Sequence, residues 1–277
     1  MQSSTDPTRS GSQRVQRPKA LIYRNLLLEF TKREIAIRYK GSYLGIIWSF
    51  LNPLFMLAVY TFVFGYIFKA RWNLQSDSKL TFAFVLFSGL IPFNIFAEVF
   101  TRAPGLVINN ANYVKKVVFP LEILPVAVLG SALFHALISV FILVLGVWLM
   151  LGTLHWTVIF LPLVLLPILF LSLGVGWFLA SLGTFIRDIS QLVNILVSAI
   201  MFLTPIFYPL SSVPKVFLQI YMLNPITPVV DNMRQIVIWG QMPDWTSLVL
   251  GILISLGIGF GGLIWFRKTK KAFADVM

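Results

Sequence analysis

Long apolar runs alternate along this chain with short polar segments. The runs cover about residues 43–68, 80–100, 117–151, 156–186, 189–210 and 245–266. None of them alternates between apolar and polar residues with a period of two, which disfavours strands. A helix needs about 20 apolar residues to cross a bilayer core of about 30 Å. The pattern therefore predicts an all-α integral membrane protein whose transmembrane domain, residues 43–277, contains six transmembrane helices.

The segment before the first run has a different pattern. Residues 1–19 are polar and basic without the apolar core of a signal peptide, and they are predicted to be a disordered cytosolic tail. Residues 20–42 are too charged to cross a membrane but can be wound as an amphipathic helix. Its apolar face holds Tyr23, Leu26, Leu27, Phe30 and Ile37 and is interrupted by Glu34. This pattern suits an interface helix in the cytosolic headgroup plane, with a solvated cytosolic helix as the alternative.

The connection over residues 211–244 is unusually apolar for a free loop. Its stretches VPKVFLQIYML and VVDNMRQIVIW both have helical apolar spacing. They are predicted to be two short exterior helices that re-enter the outer leaflet, or that simply cap the helix bundle.

Basic residues set the orientation in the membrane. Lys and Arg number 22 against 10 Asp and Glu, and they lie at the ends of apolar runs instead of forming one face, which argues against nucleic acid as a partner. With six spans, seventeen of the 22 fall on the side that holds both termini. The positive-inside rule then predicts that both termini are cytosolic.

Few residues could carry out chemistry inside this membrane protein. The chain is 58% hydrophobic and 12% charged, and it has no cysteine, which excludes disulfides and thiolate metal sites. No catalytic or metal-binding motif and no Walker motif is present, so no catalytic residue, metal ligand or cofactor is predicted in this chain. His135 lies in the third run without an acidic partner at helical spacing and is expected to be a packing residue more often than a proton relay. The scarcity of carboxylates inside the apolar runs also argues against proton- or sodium-coupled transport.

Four sequence blocks together resemble the permease subunit of ABC-2 type polysaccharide exporters, the O-antigen, capsule and teichoic acid exporters of bacteria. The blocks are RYKGSYLGIIWSFLNPL, NNANYVKKVVFPLEILPV, TFIRDISQLVNILVSAIMFLTPIFYP and NPITPVVDNMRQIVIWGQ. The resemblance covers about residues 20–270.

The resemblance implies a homodimer that docks on two copies of an ATP-binding subunit, which holds ATP and Mg and hydrolyses the ATP. The chain would be a translocase subunit and no enzyme by itself. Its cargo would be a polysaccharide linked to undecaprenyl diphosphate, as in the O-antigen of lipopolysaccharide. The complex would move this cargo across the bacterial inner (cytoplasmic) membrane, whose lipids would also contact the chain. The alternatives are an ABC-2 exporter of another lipid or a drug and a membrane-embedded glycosyl or acyl transferase.

The same resemblance assigns roles to particular residues. Residues 101–116 would couple to the ATP-binding subunit, through Arg102, Asn109, Asn112, Tyr113, Lys115 and Lys116. A gate or lipid-diphosphate contact would involve Arg33, Arg38, Lys40, Arg187, Asp188 and Gln191, although Arg187 and Asp188 could equally form a local ion pair and helix cap. The channel would be lined by Phe55, Tyr60, Phe202, Phe207 and Tyr208, whose rings could stack on sugars; rings near the span ends could equally belong to the interfacial belt.

Overall fold

The computed structural model describes residues 19–67, 72, 79–114 and 119–276. These residues form helices joined by short turns, and this part of the chain contains no strand. Five helical segments are long and apolar enough to cross a membrane, so the chain has an all-helical, multi-pass membrane fold. The five segments are Gly45–Ile67, Leu80–Gly105, Ile123–Leu151, Trp156–Phe185 and Trp245–Val276.

The α-helices of the described ranges are numbered in chain order. They are α1 (Lys19–Tyr39), α2 (Trp48–Tyr60), α3 (Lys79–Arg102), α4 (Ala111–Val114), α5 (Ile123–Leu151), α6 (Leu161–Phe185), α7 (Ile189–Leu203), α8 (Leu218–Leu223), α9 (Thr227–Val237), α10 (Trp245–Thr269) and α11 (Phe273–Val276). The first membrane segment combines α2 with a 3₁₀ turn before it and a π-helical stretch, Thr61–Ile67, after it.

The apolar run 189–210 forms a shorter helix than its composition predicts. Helix α7 has 15 residues and ends at Leu203. Thr204 is extended, with φ −98° and ψ 135°, because the residue before a proline avoids the helical region and Pro205 follows. At a rise of 1.5 Å per residue, α7 spans only about 22 Å.

Helix α3 is the centre of the bundle. Leu86, Ile91, Ile95 and Val99 are almost fully buried along its length. It packs against α5, α6, α7 and α9, and α9 is itself buried on most of its surface. The connection over residues 211–244 thus contains two short helices, α8 and α9, of which α9 packs into the bundle beside α3.

Helix α1 lies against α5 and turns only part of its predicted apolar face toward the protein. Phe30 is buried, whereas Tyr23 and Ile37 are about half exposed. Glu34, which interrupts that face in the sequence, is buried because it pairs with Arg102 of α3. The apparent break in the pattern is therefore a contact with the bundle.

Helices α6 and α10 approach each other at glycines. A Cβ atom on Gly262 would overlap the carbonyl group of Gly174, and a Cβ on Gly174 would lie 2.5 Å from the Ile258 carbonyl oxygen. We therefore expect Gly262→Ala to separate the two helices and to lower the free energy of unfolding by about 1–3 kcal/mol. Thermal unfolding in detergent measures this, with Gly257→Ala of the same helix as the control because no atom lies near its added Cβ. Equal stability of the two variants would contradict the prediction.

Candidate functional site

A cavity of about 830 Å³ opens between α1, α2, α3, α5 and α7. Its apolar wall includes Trp48, Met56, Ile91 and Met201. Polar and charged side chains collect at one end, where α1 finishes and α3 comes close to its own end. Of the residues that the sequence predicted for the site, Arg38, Tyr60 and Arg102 line this cavity.

The polar end is a network of charged side chains from three helices. An Arg38 Nη1 hydrogen donates to Glu98 Oε2 at 2.9 Å, and Arg38 Nη1 lies 3.0 Å from His135 Nδ1. Glu98 also lies 3.5 Å from Arg102 Nη1 and 3.4 Å from His135 Nδ1. Arg102 in turn pairs with Glu34 of α1. The network ties α1 to both α3 and α5.

His135 has the acidic partner that helical spacing within its own run does not provide. Glu98 lies on α3 and His135 on α5, so only the packing of the two helices brings them together. The signal in the sequence was that each of two successive apolar runs contains a rare ionisable residue, Glu98 near the end of one run and His135 near the middle of the next. Such residues inside membrane segments usually face the bundle interior and pair with one another.

A second cluster joins α1 to the segment that follows α3. The Phe30 ring centroid lies 5.3 Å from the ring of Tyr113 and 5.3 Å from that of Phe119. Arg33 donates to the Tyr113 hydroxyl at 3.2 Å and to Asn110 Oδ1 at 3.4 Å. Arg33 was predicted to contact a lipid diphosphate, but it contacts the predicted coupling segment. Arg38 faces the cavity instead.

The predicted coupling segment consists of two 3₁₀ turns, Ala103–Gly105 and Ile108–Asn110, and the short helix α4. Pro104 holds this segment against the bundle. The backbone of Pro104 packs so closely on Gly183 of α6 that a Cβ atom on Gly183 would overlap it. Asn109 and Asn112 are exposed and Tyr113 is half-buried. Lys115 and Lys116 lie outside the described residues.

The predicted gate residues lie on the surface at the turn between α6 and α7. Arg187, Asp188 and Gln191 are all exposed, as is Lys40 after α1. Asp188 is the N-cap residue of α7, but its side chain makes no capping hydrogen bond. Within the described ranges no ion pair joins Arg187 to Asp188. Neither the local ion pair nor the side-chain helix cap is therefore observed.

The five predicted channel aromatics divide into two groups. Phe55 and Phe202 are about 60% exposed. Tyr60, Phe207 and Tyr208 are half-buried: the Phe207 ring lies 6.4 Å from that of Tyr60, and the Tyr208 hydroxyl lies 2.7 Å from the Tyr221 hydroxyl. Only Tyr60 lines the charged cavity, whereas Phe55 and Phe202 present open faces on α2 and α7.

Arg234 is a buried cation that the sequence did not single out. Its side chain is almost completely buried, and it donates to the carbonyl oxygens of Val85 at 3.3 Å and Ile206 at 2.8 Å. It also donates to Asp231 at 3.2 Å, and its guanidinium lies 4.5 Å from the Trp72 ring centroid. Burial lowers the pKa of Arg234 to about 10, with Asp231 opposing the shift, so the guanidinium stays charged at neutral pH.

These helices and the charged cavity between them define a polytopic membrane protein of the helical-bundle class. The chain belongs to the ABC-2 type transporter family, whose family model matches residues 25–238.

Several proteins with known names are similar over nearly their whole length. The chain is 29% identical over 260 residues to the O-antigen export system permease protein RfbA of Myxococcus xanthus, which covers 91% of this chain and 95% of that protein. It is 30% identical over 258 residues to the protein of the same name from Klebsiella pneumoniae, with the same coverage. It is also 30% identical over 246 residues to the polysialic acid transport protein KpsM of Escherichia coli, covering 87% of this chain and 92% of that protein.

Proposed function

We propose that this chain is the permease subunit of an ATP-driven ABC exporter that moves an undecaprenyl-diphosphate-linked polysaccharide across the bacterial inner membrane. The chain itself binds no ATP and catalyses no reaction. ATP and Mg are bound by a separate subunit, which hydrolyses the ATP.

The observation that carries this proposal is the charged cavity beside the predicted coupling segment. A headgroup with phosphates is best recognised by arginine, whose planar guanidinium matches phosphate oxygens. Arg38 faces this cavity at the end of α1, and an apolar wall stands next to it. The names of the similar proteins, which export O-antigen and polysialic acid, support a polysaccharide as the cargo.

Six crossings with both termini in the cytosol fit this function. Helix α7 is shorter than the core of a bilayer, and in this proposal the residues 204–210 that follow it complete the fifth of the six crossings. Residues 1–19 are then a cytosolic tail, 20–42 an interface helix and 43–277 the transmembrane domain. The coupling loop, about 101–116, faces the cytosol, and the helices of about 211–244 face the exterior.

The working unit in this proposal is a homodimer bound to two ATP-binding subunits. Helix α2 supports it, since the membrane segment that includes α2 has very few buried residues in the single chain, and Phe55, Met56, Val59 and Phe62 are exposed. A second copy would cover part of this face and enclose a path between α2 and α7. Arg187, Asp188 and Gln191 would form the cytosolic gate, and Phe55 and Phe202 would contact sugar rings.

Purification in mild detergent tests the proposal. We expect a P-loop ATP-binding protein in equal amounts with the tagged chain, together with a lipid-linked glycan detectable by mass spectrometry. Replacing Lys115 and Lys116 with Glu should reduce the amount of ATP-binding protein several-fold, because it reverses the sign of the charge that the predicted coupling segment presents to that subunit. Lys215→Glu in the exterior connection is the control. A chain that purifies alone from several detergents would contradict the proposal.

A further inference from the structure

Arg38 is the most exposed member of the charged network. Its side chain is 46% exposed, whereas those of Glu98 and His135 are 14% and 15% exposed. Because the guanidinium lies at the cavity surface and has five donors, it can meet a ligand in the cavity without the rest of the network moving.

Glu98 does not depend on Arg38 for its stabilisation. It also faces Arg102 at 3.5 Å, His135 at 3.4 Å and the Ser131 hydroxyl at 3.5 Å. A buried carboxylate that loses its last partner is strongly destabilising, but here three other groups would remain. The Arg38–Glu98 pair is therefore exchangeable in a way that a lone buried ion pair is not.

The surroundings of Arg38 combine charge with apolar surface. Trp48, Met56 and Ile91 line the same cavity. An arginine beside an apolar wall suits an amphiphile with a phosphate-bearing headgroup and a hydrocarbon tail. Glu98 accepts from Nη1 of Arg38, which is a donor that a phosphate in the cavity would also use.

We propose that Glu98 is a built-in counter-anion that holds Arg38 until a phosphate-bearing amphiphile in the cavity displaces it. The inference rests on the proposed function, whose cargo carries a diphosphate. Arg38 lies one residue before the end of α1. The exchange would therefore also break a link between that end of α1 and the helices α3 and α5, so that headgroup binding loosens the cavity mouth.

Equilibrium binding of radiolabelled undecaprenyl diphosphate to the purified complex of the chain and its ATP-binding partner tests this inference. Glu98→Gln removes the competing carboxylate and should tighten binding by about fivefold. Arg38→Gln removes the guanidinium that binds the phosphate and should weaken binding by about tenfold. The double variant should resemble Arg38→Gln, because Glu98 acts only through Arg38. Lys32→Gln, an exposed position on α1 outside the cavity, controls for the loss of one charge.

Two further ligands identify the source of the phosphate. Phosphatidylglycerol and inorganic diphosphate are added as competitors. Competition by phosphatidylglycerol that is stronger in Glu98→Gln would support the exchange with an ordinary phospholipid as the occupant. Competition by inorganic diphosphate alone would overturn the amphiphile part of the inference.

The outcomes separate this inference from the proposed function. Unchanged affinity in Glu98→Gln, with weaker binding in Arg38→Gln, would reject Glu98 as the competitor and leave the transport proposal intact. A wild-type complex that hydrolyses ATP but binds no undecaprenyl diphosphate would reject the proposed cargo itself. If Glu98→Gln does not fold, Glu98→Asp keeps the charge and lengthens the Arg38 contact, and it should tighten binding by a smaller factor; unchanged or weaker binding would again reject the exchange.

Discussion

Tyr113→Ala is expected to lower glycan export to about a tenth of the wild-type rate or less, while the partner subunit still hydrolyses ATP. The Tyr113 ring packs on Phe30 of α1 at 5.3 Å and on Phe119 at 4.6 Å. Each aromatic pair contributes about 0.5–1.5 kcal/mol beyond the area that it buries. Loss of this ring would remove the aromatic contact between the coupling segment and α1 and leave the Arg33–Asn110 hydrogen bond as a remaining link. Motion of the ATP-binding subunit would then reach the cavity much less effectively. Export and ATP hydrolysis measured together in proteoliposomes check the result.

Two variants show whether the ring contacts carry this coupling. Tyr113→Phe keeps both rings and loses only the hydroxyl that accepts from Arg33, so its export should stay within about twofold of wild type. Tyr23→Ala removes an exposed ring from α1 and should have little effect on export. If Tyr113→Ala exported normally, the contact between α1 and the segment would not transmit motion. If it lost the ATP-binding subunit, Tyr113 would belong to the docking surface.

The helical membrane fold could be predicted from composition, because apolar runs of this length have few other stable structures in a bilayer. The end of α7 was harder to predict from the sequence. A hydropathy pattern continues to residue 210, but the backbone leaves the helix at Thr204 because Pro205 restricts it. A rule that every proline ends a helix would have predicted the end of α7 correctly. The same rule would have failed at Pro53, Pro92 and Pro167, which lie inside helices.

The candidate site required information that a single sequence does not contain. Arg38 was assigned to a lipid-diphosphate contact by its position before the first apolar run, and the structure shows that it lines the cavity. Its partners Glu98 and His135 come from two other helices, and their pairing depends on how α3 packs on α5. Arg33 was assigned to the same lipid-diphosphate contact as Arg38, but the two are five residues apart on α1, which turns them to different sides of the helix.

Arg234→Met is expected to destabilise the folded chain by about 2–4 kcal/mol, because buried carbonyl oxygens on two elements lose a charged donor. Arg234 lies on α9 and its donors reach Val85 of α3 and Ile206 after α7. Methionine fills much of the volume but leaves both carbonyl oxygens and Asp231 without this donor. Thermal unfolding of the purified chain in detergent, at fixed lipid content, measures the loss.

Arg234→Lys separates the charge of this residue from its geometry. Lysine keeps a positive charge, but its single ammonium group cannot replace a planar fork that donates in three directions, so an intermediate loss of stability is expected. Arg187→Met, at an exposed position, should change the stability by no more than about 0.5 kcal/mol. Wild-type stability of Arg234→Lys would show that charge alone is sufficient at this position. Wild-type stability of Arg234→Met would mean that α9 is held to α3 by apolar packing, and the buried arginine would then need another explanation.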